Sequence, residues 1–228
     1  MFFSFSDNPY VAIIGDMKES KKIDNRSETQ KKLKQVLAEI NQKYKPEISA
    51  KFIITLGDEF QGLLNRGANT MNIVSEIERK MFPIKIRFGI GIGRITTDIN
   101  EEMAIGADGP GYYFARDAID YLKKNEKKKQ AIAADIRFEV DCDNQATAIM
   151  LNTIVALMTA IKESWSDRQR EIIWDMIEHQ DSQTDVANRL KIQQPAVQKS
   201  FSLGKYYAYK NAVDTIGDVL GEIRRDDV

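Results

Sequence analysis

The sequence predicts an α+β fold. A ferredoxin-like βαββαβ domain occupies residues 1–143, and an all-α domain carrying a helix-turn-helix occupies residues 144–228. Three observations predict it. The hydrophobic period switches between two and about 3.6 in the order strand, helix, strand, strand, helix, strand, which is the split βαβ plan. The segment IKIRFGIGIGRI (84–95) alternates cleanly, as a half-buried strand does. From Asn144 onward only helical signals occur.

Residues 10–15 (YVAIIG) are a short apolar, β-branched run stopped by glycine, as in a buried strand. Residues 27–44 place Leu33, Val36, Leu37 and Ile40 at helical spacing, and Pro46 closes that helix. KFIITL (51–56) and EFQGLL (59–64) read as two strands joined by a tight hairpin at Gly57-Asp58. Residues 68–82 form an amphipathic helix. In the alternating strand, Ile84, Ile86, Phe88, Ile90 and Ile92 share one side. Gly89, Gly91 and Gly93 on the other side leave room for a helix or a ligand to come close. The plan implies an antiparallel sheet with helices on one face. Residues 112–124 add a third helix, KKNEKKK (123–129) reads as a solvated turn, and residues 131–140 as a returning edge strand.

Composition excludes several function classes. The chain has 228 residues, 43% apolar and 29% charged, enough for a buried core. Its net charge of -1 argues against a uniformly basic nucleic-acid coat or a polybasic membrane surface. One cysteine, Cys142, rules out an internal disulfide framework, and one histidine, His179, rules out multi-histidine zinc sites. Metal or acid-base chemistry would rest on carboxylates. No targeting segment is visible, and the apolar run 148–161 is shorter than the roughly 20 residues that span a bilayer. The expectation is a soluble, cytoplasmic protein without a membrane partner. The same run reads as a buried connector or a dimer seam.

The carboxylates concentrate where such chemistry would sit. Asp16 ends the first strand, and Asp58 and Glu59 occupy the hairpin tip. In this plan those strands are neighbours, so the three can converge. Hard cations such as Mg²⁺ take oxygen ligands, one or two carboxylates plus substrate phosphates. Met17, Lys18, Glu19 and Ser20 follow directly, and their backbone N–H groups would cradle phosphates if the segment turned tightly into a helix. The competing reading is that Asp16 caps a turn and Asp58 makes the hairpin. Asp108, in the loop GADGPG, reads first as a turn residue and second as a third ligand.

The blocks IIGDMKESKK, ITLGDEFQGLL, IRFGIGIG and IGADGPGYYFARDAI resemble the SatD family of bacterial proteins along nearly the whole chain. More distantly, the first half resembles the palm domain of class III nucleotidyl cyclases and GGDEF diguanylate cyclases. That resemblance implies a cyclase-like palm in which Asp16 and Asp58 bind Mg²⁺ or Mn²⁺ and Asp16, Asp58 and Glu59 are the catalytic carboxylates. It also implies that 17–20, Gly57 and Arg116 contact a nucleotide. The departures are specific. Ile54 stands where class III adenylyl cyclases carry a base-selecting lysine, Tyr113 where an asparagine is expected, and Leu56 replaces the first glycine of the GGDEF signature. Arg116 is near the place of the transition-state arginine but out of register. The metal end is matched; the base-reading end is not.

In the second half, Ser166 with Gln169 forms a capping box that opens the helix SDRQREIIWDMIE. The stretch QTDVANRLKIQQPAVQKS (183–200) spaces Ala187, Leu190, Ile192 and Val197 as a helix-turn-helix requires, with Lys191 in place of the usual turn glycine. Pro195 suits the first turn of the second helix. Arg189, Lys191, Gln194, Gln198 and Lys199 are the candidate DNA-binding residues, since Gln reads adenine and Lys reaches guanine or phosphate. Residues 186–210 contain five basic and no acidic side chains. Trp165 and Trp174 read as core, His179 as a surface or capping residue, and Tyr206, Tyr207 and Tyr209 as packing. A final helix, 208–223, is a second candidate for a dimer contact.

The combined expectation is a cytoplasmic regulatory homodimer that pairs a nucleotide- and divalent-metal-binding palm with a DNA-binding helix-turn-helix. Two other classes stay open. One is a Mg²⁺-dependent nucleotidyl cyclase or nucleotidyltransferase using Asp16 and Asp58. The other is a non-catalytic protein-interaction module.

Overall fold

A computed structural model describes residues 2–5, 8–128 and 134–223. The elements in order are β1 (Tyr10–Met17), α1 (Arg26–Lys43), β2 (Ile48–Leu56), β3 (Glu59–Leu64), α2 (Thr70–Met81), β4 (Ile86–Gly93), α3 (Pro110–Asn125) and β5 (Ile136–Glu139). The helices α4 (Gln145–Glu163), α5 (Asp167–His179), α6 (Gln183–Arg189), α7 (Gln194–Leu203) and α8 (Tyr206–Leu220) follow. The protein is mixed α+β.

The strand order among the described residues is β2-β3-β1-β4-β5. β1 pairs antiparallel with β3 and with β4, and every one of its residues is buried, which is why YVAIIG carries almost no polar side chain. β2 pairs antiparallel with β3 across the Gly57-Asp58 turn, where Gly57 adopts φ 38°. The expectation of a purely antiparallel sheet is corrected at its edge. β5 runs parallel to β4, because α3 carries the chain back along the sheet before β5 begins. Of the edge segment expected at 131–140, the first three residues lie outside the described residues.

A second correction concerns the faces. On one face Val11, Ile13, Phe60, Leu64, Phe88 and Ile90 pack with Leu33, Val36, Leu37 and Ile40 of α1 and with Ile73, Val74 and Ile77 of α2. Full burial of each such side chain contributes roughly 2 kcal/mol. The opposite face is also covered. Tyr10, Ala12, Ile14 and Leu63 pack against Tyr112, Ala115 and Ile119 of α3. The glycines of β4 make this possible: a Cβ at Gly91 would lie 2.0 Å from the Gly111 carbonyl oxygen, and one at Gly89 would lie 2.2 Å from that of Ala115. The close approach left open by the sequence is made by a helix.

The two halves share one apolar core. Leu151, Val155 and Met158 of α4 join Ile136 and Phe138 of β5, and Ile216, Val219 and Leu220 of α8 join the α2 side. The N-terminal segment is tied to the second half: Phe2 N–H donates to Glu222 Oε2 at 2.7 Å, and Ser4 N–H to Asn144 Oδ1 at 2.7 Å. Trp165 is buried and its Nε1 donates to the Gly204 carbonyl at 2.6 Å. Trp174 is half-buried and packs edge-on against Phe82, 5.1 Å between centroids, at the seam between the halves.

Candidate functional site

Register places the candidate carboxylates. Asp16 on β1 lies opposite Glu59 on β3 and opposite Arg87 on β4, so the three side chains leave the same face of the sheet, the one under α3. Asp16 is buried. Its Oδ2 accepts from Arg87 Nη1 at 2.5 Å, and its Oδ1 lies 2.8 Å from Lys123 Nζ. Glu59 is also buried and is gripped by both terminal nitrogens of Arg116, with Nη2 2.8 Å from Oε1. Arg116 and Lys123 stand seven residues apart on α3, about two turns, and so descend from one stripe of that helix.

The network continues outward with alternating sign. Arg87 Nε and Nη2 bond both oxygens of Glu126 at 2.9 and 2.5 Å, and Lys18 Nζ lies 2.7 Å from Glu126 and 2.5 Å from Asp135. Lys123, Asp16, Arg87, Glu126, Lys18 and Asp135 form an unbroken chain of ion pairs. Burial pulls the Arg87 guanidinium and the Lys18 ammonium down, but their carboxylate partners outweigh it and hold both above their ordinary values. Burial pushes the Glu126 carboxyl up, and Arg87 and Lys18 more than reverse that, leaving it low. Arg116 is raised by its bonds to Glu59.

Asp58 stands apart at the hairpin. Its Oδ2 accepts from Ser20 Oγ at 2.5 Å, and its backbone carbonyl accepts the Met17 N–H at 2.9 Å. The Lys18 N–H donates to the Lys85 carbonyl at 2.8 Å. Two of the N–H groups expected to face a phosphate are therefore spent within the sheet. Met17 itself is buried in the core, Glu19 takes a left-handed φ of 51° and pairs with Lys22, and only a three-residue 3₁₀ turn, Ser20–Lys22, follows. Gly57 offers its carbonyl to Gln30 at 2.7 Å.

This donor set does not fit a divalent cation as it is arranged. Asp16 and Glu59 are each bonded by cationic side chains and Asp58 by a hydroxyl, and among the described residues no three acidic, histidine or cysteine side chains gather as ligands. What the arrangement does is fix α3 to the sheet through ion pairs whose carboxylates are buried and whose α3 cations, Arg116 and Lys123, are partly exposed. Arg87, Lys123, Glu126 and Asp135 were not singled out by sequence reasoning. Arg87 had a signal, a lone charge in a glycine- and isoleucine-rich strand. Lys123 and Glu126 were hidden in the run read as a solvated turn; α3 extends through Asn125 and both side chains turn back to the sheet. Asp108 belongs to the loop before α3, accepts from Tyr113 OH at 2.7 Å, and is followed by Gly109 at φ 146°.

The second candidate site lies on α6 and α7. Ser182 caps α6 through a reciprocal box with Asp185, and Val186 and Ala187 face inward against Val197 and Phe201 of α7 and Ile172, Ile173 and Met176 of α5. Between α6 and α7 Lys191 adopts φ 52°, the left-handed conformation that glycine usually supplies, and the Ile192 N–H reaches the Ala187 carbonyl at 2.9 Å. Pro195 sits in the first turn of α7. Gln194, Gln198, Lys199 and Ser202 are exposed on α7. Gln183, exposed part-way, links two of them: Gln194 Nε2 donates to its Oε1 at 2.6 Å, and its own Nε2 donates to Gln198 Oε1 at 2.6 Å and to Tyr207 OH at 3.1 Å.

Arg189 behaves differently from the rest of the candidate set. It bonds Asp175 and Asp181 at 2.6 and 2.5 Å, so it braces α6 against α5. Lys191 and Lys199 make no ion pair among the described residues. Tyr206 and Tyr209 are buried as expected, whereas Tyr207 is 56% exposed and joins the glutamine cluster. His179 closes α5 at the surface, with Nδ1 2.9 Å from the Asp175 carbonyl.

No curated protein matches the chain. Among solved structures it matches the crystal structure of the guanylyl cyclase Cya2 with 10% identity, covering 61% of this chain and 78% of that one, at a TM-score of 0.34, too slight a likeness to carry an argument. The model of the SatD family matches residues 10–215, which takes in β1, the carboxylate network, α6, α7 and most of α8. The chain belongs to the SatD family.

Proposed function

We propose that this protein is a DNA-binding regulator in which α6 and α7 form a helix-turn-helix and the α+β half is a non-catalytic support. The observation that carries the reading is the α7 surface. Gln194, Gln198, Lys199 and Ser202 project together from a helix whose other face is locked by Val197 and Phe201. Gln side chains read adenine in the major groove, and lysines contact phosphate or guanine. Lys191 and Lys199 supply positive charge at the two ends of the turn and helix, while Arg189 serves the fold. The support role rests on the ion pairs that engage Asp16, Glu59, Arg87, Arg116 and Lys18, the charged groups a metal or a nucleotide phosphate would need at this site.

The test is a gel shift with genomic fragments at defined low salt, followed by competition with unlabelled fragment. The expected result is a shifted complex that competes specifically and weakens as salt rises. No competable complex at low salt would remove the DNA reading and leave α6 and α7 as a protein-interaction module.

A further inference from the structure

α4 carries two apolar stripes on opposite sides. Ala148, Leu151, Val155 and Met158 are buried against β5 and the rest of the core. The other stripe is Ala146, Met150, Thr153, Leu157 and Ala160, spaced four, three, four and three, and all five are exposed, Met150 by 51% and Leu157 by 61%. Beside them Ile149 is 64% exposed. Such spacing is the narrow seam of a helix that packs against another helix. No charged side chain occurs from Gln145 to Ile161.

We infer that this stripe is a homodimer interface in which α4 packs against α4 of a second copy, antiparallel about a two-fold axis. Two features select a second copy. An uncharged stripe brings no like charges together when it meets itself, which a two-fold interface requires. The stripe also alternates large and small: Met150 and Leu157 stand at one seam position, Ala146, Thr153 and Ala160 at the other. Antiparallel pairing sets each large side chain against a small one of the partner, whereas parallel pairing sets large on large and small on small. An open groove of about 660 Å³ runs beside the stripe, with Tyr121 and Arg137 on its far wall, and gives the partner helix room. A bilayer is the poorer occupant although the helix is long and apolar enough to cross one, with mean hydropathy 1.3. Its inner stripe is committed to the core, and Lys162 is buried against Glu78. The inference does not depend on the DNA reading.

Sedimentation of the full chain across micromolar concentrations tests it, with Leu157→Glu and Leu157→Ala as variants. The expected species is twice the 26.0 kDa chain, reduced to one chain by Leu157→Glu with an unchanged far-UV spectrum, and weakened several-fold by Leu157→Ala. Orientation is read in a Cys142→Ser background by disulfide cross-linking. Thr153→Cys lies near the two-fold axis and cross-links; Ala146→Cys is about 16 Å or more from its counterpart in an antiparallel pair and does not. A monomer at all concentrations, a dimer indifferent to Leu157→Glu, or a monomer that binds phosphatidylcholine vesicles would each overturn the interface. Cross-linking at both positions would overturn the antiparallel arrangement.

Discussion

Asp16 and Glu59 face each other across the β1–β3 ladder, and each is bonded to a basic side chain from the same helix, Lys123 to the first and Arg116 to the second. Two carboxylates side by side repel unless something neutralises them. Here the neutralising groups are built into the chain, and they hold α3 on the sheet.

That relationship predicts the sign of a stability change. In a site built for an absent metal, removing a carboxylate relieves repulsion and stabilises the protein. Here Asp16→Ala removes the buried carboxylate that Arg87 and Lys123 share, leaving Arg87 only Glu126 and Lys123 partly solvated, and should cost about 2 kcal/mol. Asp58→Ala loses only the Ser20 hydroxyl bond and should cost about 1 kcal/mol. Urea denaturation of both variants measures this; an Asp16→Ala protein more stable than the parent would contradict it.

Mn²⁺ with ATP or GTP should yield no new product on chromatography, and calorimetry should show no heat of binding above buffer. Product formed by the parent and lost in Asp58→Ala would restore the nucleotidyl-transfer reading of Asp16 and Asp58.

The close approach of α3 to β4 predicts a severe effect of one methyl group. Gly91→Ala places its Cβ against the Gly111 carbonyl, which is backbone and cannot step aside, and should cost about 3 kcal/mol or more. Gly106→Ala has nothing within 4 Å of its new Cβ and pays only for a φ of 93°, about 1 kcal/mol. Thermal melts of the two should separate clearly.

Much of this was legible in the sequence, for physical reasons that differ by element. Alternation in IRFGIGIG marks the strand, and its glycines mark a place where a helix or a ligand can come close, because only a missing side chain lets another backbone within van der Waals distance. Lys191 stands where the turn between α6 and α7 usually carries glycine, and its backbone takes the glycine conformation all the same, at φ 52°. The covered second face was not legible. It depends on where α3 lands, a long-range contact that no local period encodes. The pairing of Asp16 with Lys123, 107 positions apart, is hidden for the same reason. Composition showed that both carry charge, and only the fold shows that they meet.

The ion-pair chain also predicts an acid limb. The Glu126 carboxyl sits below its ordinary 4.5 because Arg87 and Lys18 outweigh its burial. A depressed carboxyl contributes stability that is present above 4.5 and is lost as pH falls through the folded value. The thermal midpoint should therefore fall below pH 4.5, and Glu126→Gln should flatten part of that fall. Equal slopes in the two proteins would show that Glu126 contributes nothing.

On the proposed reading, the exposed face of α7, with the turn before it, contacts DNA through its lysines as well as its glutamines. Fluorescence anisotropy across a salt series tests it most directly, comparing the parent with a Lys191→Gln, Lys199→Gln double variant on one fragment. Each lysine that meets a phosphate contributes about one unit to the slope of log K against log salt. The slope should be shallower by about two in the variant, with weaker binding at low salt. An unchanged slope and affinity would contradict it.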